Sequence, residues 1–416
     1  MQHFFSALLK RFKKVFISFI LTSFLSQQLC FAAGSSPLEL GPTLTTHLQQ
    51  IGFTSSLTPF NPPILRFLSV NHDNPYNYFN FLLDKGDSHL TTANLNKEAE
   101  KLLTYFKIGI SLPNENFWVN LKPQDKENIL PPELEKTDLG KVLLEADLRL
   151  KKDAARILHP QHPKGKIFWE RLFQELGNNI QINTQNRLWI VPDKAQIWQV
   201  EDGVLIVEAT LAVMLENEYL KKTPQDKVQA SAEALMKEII IPELTKEINT
   251  IQAYAELRQV YNALILAQWF KQQYRGKEAP LAANIDRGLT EDLISKTSWY
   301  KENIWQEYAK SLKQGEYKAN IPQGQVQLQY FSGGIDFASS PIIFTPVKDI
   351  SAISSSPLGN KLNANNGFSF VEVGPKLKTS SPLQSFKGFG KKTKVSSSPV
   401  DEPRAASSPL AGEQAA

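Results

Sequence analysis

Regular hydrophobic spacing runs through this 416-residue chain as far as about residue 337 and then stops. Up to that point aromatic and aliphatic side chains recur at helical or strand spacing. Beyond it the chain turns to Ser, Pro, Lys, Asn and Gly, with few large apolar residues. A segment of that composition cannot bury enough surface to offset the entropy of ordering it. The reading is one folded domain over 33–337 followed by a disordered Ser/Pro/Lys-rich tail over 338–416. About 300 residues suffice for a core that holds by burial alone, as this one must. The single cysteine, Cys30, lies ahead of the domain.

The N-terminal segment carries its own signal. Lys10, Arg11, Lys13 and Lys14 precede an apolar run from Val15 to Leu25. That run falls short of the roughly 20 residues a spanning helix needs. Cys30-Phe31-Ala32 then puts small residues where a signal peptidase reads. Residues 1–32 are therefore expected to be a signal peptide and the protein to be exported, to a periplasmic, cell-surface or extracellular location. Gln27-Gln28-Leu29 lacks the small residue that a lipoprotein signal sets before its acylated Cys, so Cys30 is expected to leave with the signal. The mature chain then has no thiol for a disulfide, a metal or nucleophilic catalysis.

Removing the signal also changes the charge. The whole chain has 46 Lys and Arg against 42 Asp and Glu; residues 1–32 hold four of the bases and no acid, so the remainder carries 42 of each. Bulk charge gives no reason to expect nucleic acid as a partner. The tail alone has nine bases against five acids, which leaves 33–337 with an excess of four acids.

Inside the tail, Ser-Ser-Pro followed by a branched aliphatic recurs at Ser339–Ile342, Ser355–Leu358, Ser380–Leu383, Ser397–Val400 and Ser407–Leu410, with one further copy at Ser35–Leu38. Proline biases its neighbours towards extended backbone, so these units read as stiffened spacers. Between two of them, Phe386, Lys387, Phe389, Lys391, Lys392 and Lys394 place four cations and two rings in nine residues. A cation near an anionic surface gains about 1 kcal/mol, and rings can enter the interface. These six are the candidate binding residues, with an anionic membrane surface or a cell-envelope polymer as the partner.

Within the domain, Ala99, Leu102, Leu103 and Phe106 have the spacing of an amphipathic helix, as do Leu139, Val142, Leu143 and Ala146, continued by Leu150 and Ile157. Thr137 or Asp138 is placed to cap the second. Phe168 to Leu176 makes a third, stopped at Gly177. The longest apolar-periodic stretch runs from about 226 to 274, with a break expected near Pro242 and a buried central helix around Leu257, Tyr261, Leu264 and Ile265. A last helix covers about 299–313. Strands are expected at Trp189–Val191 and Ile197–Trp198, turning at Asp202-Gly203 into an alternating strand with Leu205, Val207, Ala209, Leu211 and Val213 on one face. Pro192 cannot donate to a ladder, so its strand is an edge or is bulged there. Weaker strand patterns cover Leu65–Val70, Tyr78–Leu83 and Gln325–Phe331.

Few motifs in the chain carry chemistry. The chain has no G-x-G-x-x-G, G-x-x-x-x-G-K-[ST], G-x-S-x-G or H-E-x-x-H pattern. Gly388-Phe389-Gly390-Lys391 has no strand before it and is not read as a phosphate loop. His159 and His162 are two ligands at most, and Pro160 and Pro163 make them an interhelical turn. Glu145 and Asp147 are the obvious carboxylate pair for hydrolytic acid–base work. Positions two apart on a helix diverge, and Lys141, Glu145 and Arg149, like Asp147 and Lys151, are spaced at i, i+4. Both acids are accordingly expected on a solvated ion-pair face. Asp336, after Gly333-Gly334, reads as a turn closing the last strand, and the Trp residues as core. No cofactor and no metal site is expected.

Several segments together carry a resemblance: Phe117 to Leu121, Thr137 to Gly140, Leu144 to Lys152, Gly165 to Trp169, Leu188 to Ala195, Val213 to Glu216 and Tyr330 to Gly334. In that order they resemble an uncharacterised family of exported bacterial proteins, over about residues 65–337. The resemblance implies no activity. The expected fold is α+β, with helices packed on an antiparallel sheet. The expected function is non-catalytic, a scaffold or binding module at the cell envelope; the alternative is a secreted carboxylate-based hydrolase of polysaccharide or peptide.

Overall fold

The computed structural model describes residues 58–70, 79–177, 187–200, 203–224, 226–274, 299–316, 318–321, 324–327, 333–338, 344–346, 368–373 and 378–380. Strands β1 (Ile64–Val70) and β2 (Phe79–Asp84) come first, then helix α1 (Thr92–Ser111) and the two-residue strand β3 (Trp118–Val119). A short α2 (Pro132–Glu135) leads into the long α3 (Asp138–Leu158), and α4 (Pro163–Leu176) follows. The hairpin β4 (Leu188–Val200) and β5 (Gly203–Leu215) feeds a helical run of α5 (Glu216–Tyr219), α6 (Lys227–Leu235), α7 (Ile241–Thr250) and α8 (Ala255–Tyr274). After α9 (Trp299–Gln314) come β6 (Lys318–Ile321), β7 (Gly324–Gln327), β8 (Gly334–Asp336), β9 (Thr345–Pro346), β10 (Phe368–Val373) and β11 (Lys378–Ser380).

Local sequence explains the helix ends. Thr137 caps α3 by accepting from the Gly140 N–H at 3.1 Å, and Thr91 caps α1 through the Asn94 N–H. Gly177 ends α4 with a φ of 79°, a left-handed conformation that glycine reaches without a Cβ clash. Helix α8 is buried on nearly every side, from Leu257 through Val260, Tyr261, Leu264 and Ile265 to Trp269, and takes the polar Gln259 and Asn262 inside with it. It packs against α1, α3, β1 and β5. Phe79, Phe81, Phe106 and its own Phe270 interlock edge to face, with centroids 5.0–5.4 Å apart for the closest pairs. Trp169, Trp189 and Trp269 are buried, as core residues should be.

The main sheet has nine strands in the order β11-β10-β2-β1-β5-β4-β8-β3, with β9 also paired to β4; β6 and β7 form a separate hairpin. Helices on this sheet make the expected α+β architecture. The sheet is mixed rather than wholly antiparallel, because β8 and β9 run parallel to β4. The chain leaves β5, passes through the helical run and returns to the open edge of β4, so it arrives in the direction of β4 itself. Gly333 and Gly334 permit that insertion. A β-carbon at Gly333 would stand 1.7 Å from the Leu188 carbonyl oxygen, and one at Gly334 2.0 Å from that of Val119.

Three expectations require correction. The single alternating face of β5 holds from Ala209 through Leu211 and Val213, but before it Val204 and Ile206, not Leu205 and Val207, join the core cluster. The register slips between Gln196 and Ile197, where β5 carries an extra residue, and one residue inverts the face of everything before it. A second slip, between Pro192 and Ala195, is the bulge expected at the proline.

Pro242 does not break the helical stretch. It sits in the first turn of α7, directly after a π-helical turn over Met236–Ile240 whose wider winding suits a residue without an N–H. The break falls at Ile251, which is extended at φ −81° and ψ 155°. The tail also contributes structure. Within 338–416, β10 pairs antiparallel with β2 over Phe368–Val373 and β11 pairs with β10, so the sheet extends past the boundary expected at 337. Phe368, Phe370, Val371 and Val373 form a short β-prone run inside a Ser/Pro-rich segment, and the free edge of β2 supplies the partner such a strand needs.

Candidate functional site

A cleft of about 660 Å³ lies between α1, α3 and the first turn of α8. Helical periodicity builds it. Glu98, Lys101 and Tyr105 lie at i, i+3 and i+7 on α1, while Asp138, Lys141, Val142 and Glu145 share one face of α3 by the same rule. Glu256 enters from α8, and Leu90 lines the cleft beyond the start of α1. Lys101 is shared between Glu98 at 2.8 Å and Glu256 at 3.5 Å, and Lys141 reaches Glu145 at 3.7 Å. Glu98 also accepts from Gln259 Nε2 at 2.8 Å.

Tyr105 is 3% exposed and has no hydrogen-bond partner for its hydroxyl among the described residues. Burial raises its pKa, and the charges of Glu256, Asp138, Glu98 and Glu145, which line the same cleft, raise it further. The Glu145 carboxyl is raised as well, by partial burial first and then by Glu256, against the pull of Lys141.

Asp147 does not join Glu145. It points to the opposite side of α3 and, contrary to the expected solvated face, is fully buried. Its carboxylate accepts from Lys151 Nζ at 2.5 Å and from the Leu121 N–H at 2.7 Å. Lys151 is itself 1% exposed and lies 5.9 Å from the centroid of the Tyr308 ring. Burial raises the Asp147 carboxyl and lowers the Lys151 amine, while their attraction works against both shifts. The i, i+4 pairing is as the spacing requires. The environment is not, because α9 and β3 pack against α3 and cover this side. Arg149, expected beside Glu145, pairs instead with the buried Asp153 at 2.7 Å. Asp153 also takes a 3.0 Å hydrogen bond from the Tyr254 hydroxyl, and Arg156 holds Glu247 through two 2.7 Å bonds.

The histidine pair forms the α3–α4 turn, as expected. His162 caps α4 by accepting from the Lys164 N–H, and burial together with Arg156 lowers its pKa to about 4. Asp336 is buried in β8 rather than in a turn; it accepts from the Tyr219 hydroxyl and, at 2.7 Å, from the Ala338 N–H. Trp189 stacks on Tyr219 at 4.6 Å. Among the described residues no group of three or more His, Cys, Asp or Glu is placed to hold a metal ion, and no helix is long and apolar enough to cross a membrane. The tail candidates Phe386, Lys387, Phe389, Lys391, Lys392 and Lys394, and the signal segment 1–32, lie outside the described residues.

Sequence reasoning found Glu145 but missed Tyr105, Glu98 and Glu256. The available signal was Glu98, Lys101 and Tyr105 on one side of the amphipathic α1 and Glu256 at the head of the buried α8. Neither shows its partner without the crossing of α1 and α8. Comparison with protein-family models, with curated proteins and with solved structures returns no match.

Proposed function

We propose that the chain is an exported, non-catalytic protein that acts as a scaffold or binding module at the cell envelope. The observation that carries this reading is the commitment of the carboxylates. Asp147 is sealed with Lys151, and Asp153 and Glu247 are held by Arg149, Arg156 and Tyr254. Glu145, on the other side of α3, has no facing partner in Asp147 across a substrate path. The n-region at Lys10–Lys14 and the apolar run behind it support export. Attachment runs through the cations of the tail, since residues 33–337 carry an excess of four acids and an anionic surface repels them.

The test compares the full mature chain with a variant in which Lys387, Lys391, Lys392 and Lys394 become Gln, by co-sedimentation with phosphatidylserine liposomes and with isolated envelope polymer. Truncation at 338 is the wrong control, because it removes β10 and β11 from the sheet. The expected result is binding at low salt that falls with added salt and is lost in the variant. Equal binding by both chains overturns the tail as tether. The hydrolase reading has one observation in its favour, the raised Glu145 carboxyl in the cleft. A polysaccharide- or peptide-hydrolysing activity abolished by Glu145→Gln would establish it.

A further inference from the structure

We propose that the α1–α3–α8 cleft is a binding site for an aliphatic diamine or polyamine, its ammonium groups held by Glu98, Glu145 and Glu256 and by the Tyr105 hydroxyl. The inference rests on the reading of the chain as a binding module and gives that module a ligand. Two independent observations carry it. The first is charge: five carboxylates and three lysines line the cleft, so acids are in excess after every lysine is counted. The second is the Tyr105 side chain, 3% exposed, which lines the same cleft and has no hydrogen bond from its hydroxyl to another described residue. A phenol oxygen that opens on the cleft without a protein donor is free to accept, and an ammonium is the donor the surrounding acids favour.

The form of the cleft selects among cations. Its volume lies in the range of small-molecule sites, and Leu90 and Val142 give an alkyl chain an apolar wall between the charged ends. A bare metal ion would leave that wall unused, and no three acids converge tightly enough to ligate one. An anion meets the excess of acid. The present counter-ions are loose enough to be displaced: Lys101 divides itself between Glu98 and Glu256, and Lys141 stands 3.7 Å from Glu145. A flexible lysine and an incoming ammonium offer the same charge, but the ligand brings two charges on one chain and so loses less freedom per contact. Burial is the main cause of the raised pKa values of Tyr105 and Glu145, and the neighbouring carboxylates add to it in the direction that favours positive charge.

Isothermal titration calorimetry of the full mature chain with spermidine, putrescine and butylamine tests the site. Spermidine and putrescine should bind saturably at one site per chain, and butylamine, with a single ammonium, at least about tenfold more weakly. The double variant Glu145→Gln with Glu256→Gln should lose at least about tenfold in affinity. Both side chains are about half exposed, so the fold should survive. Tyr105→Phe should weaken binding several-fold with an unchanged melting temperature in the free protein. No saturable binding, equal binding by the double variant, or butylamine binding as tightly as putrescine overturns the proposal. Envelope attachment is read separately with the tail lysine variant. Loss of amine binding with attachment intact therefore removes only this inference, and loss of attachment with amine binding intact removes only the tether.

Discussion

Helix α3 carries the same ion-pair spacing twice, in opposite environments. Lys141–Glu145 lies on the cleft wall, 3.7 Å apart with both side chains nearly half exposed, and Asp147–Lys151 lies six residues further on, 2.5 Å apart and shut away from water. The spacing of four residues is identical, and the chemistry of the partners is the same. Their consequences differ because solvent screens the first pair and desolvation dominates the second. An exposed pair can exchange its partner for a ligand at little cost. A buried pair cannot lose either member without stranding a charge, so it serves the fold and stays out of function.

The largest effect should follow from splitting the buried pair. Asp147→Asn leaves Lys151 charged or forces it to neutralise in a dry site, and should cost about 3–5 kcal/mol in urea or thermal unfolding. Replacing both partners by apolar residues, Asp147→Leu with Lys151→Met, should recover most of that loss. A double variant as unstable as the single one would mean that packing around α9 and β3, not charge, sets the cost. The network one turn on should rank second. Asp153→Asn weakens the contacts of Arg149, Arg156 and Tyr254 together and should cost about 2–3 kcal/mol, since hydrogen bonds to charged groups are each worth about 1.5–3.

His162 should fall between the two extremes and reveal itself through pH. Its ring is held neutral in the folded chain down to a pKa of about 4, whereas the unfolded chain binds the proton near 6.5. Above 6.5 neither state is protonated and this group adds no slope. Between about 6.5 and about 4 the unfolded state takes up the proton first, so stability should fall on acidification and level off below that range. His162→Asn keeps an acceptor for the Lys164 N–H and should remove this part of the acid sensitivity in melts from pH 7.5 to 4.5. The smallest effect should be Glu145→Gln, under about 1 kcal/mol, as for an exposed i, i+4 pair. A loss comparable to that of Asp147→Asn would erase the distinction between the two faces of α3.

Much of the architecture was legible before the structure, and particular residues show why the rest was not. The caps and stops of α3 and α4 at Thr137 and Gly177, the bulge at Pro192 and the buried α8 follow from the backbone chemistry of single residues or from one period of hydrophobicity. The inverted face at the start of β5 required the pairing register with β4, which one extra residue changes. Strand β10 required the vacant edge of β2. The cleft required three helices to cross. Glu145 could be singled out as an acid, while Tyr105 and Glu256 acquire meaning only as neighbours of it.

By itself the sequence determined which residues pair along a helix, where helices begin and end and which segments are apolar enough to be core, because those properties depend on atoms within a few residues of one another. Only the tertiary structure decided that Asp147 is dry and Glu145 wet, that β8 and β9 lie parallel to β4, and that Tyr105 shares a cleft with carboxylates from three helices. Solvent exposure and the company of a side chain are set by elements packed from far along the chain, and the strength of a charge depends on both.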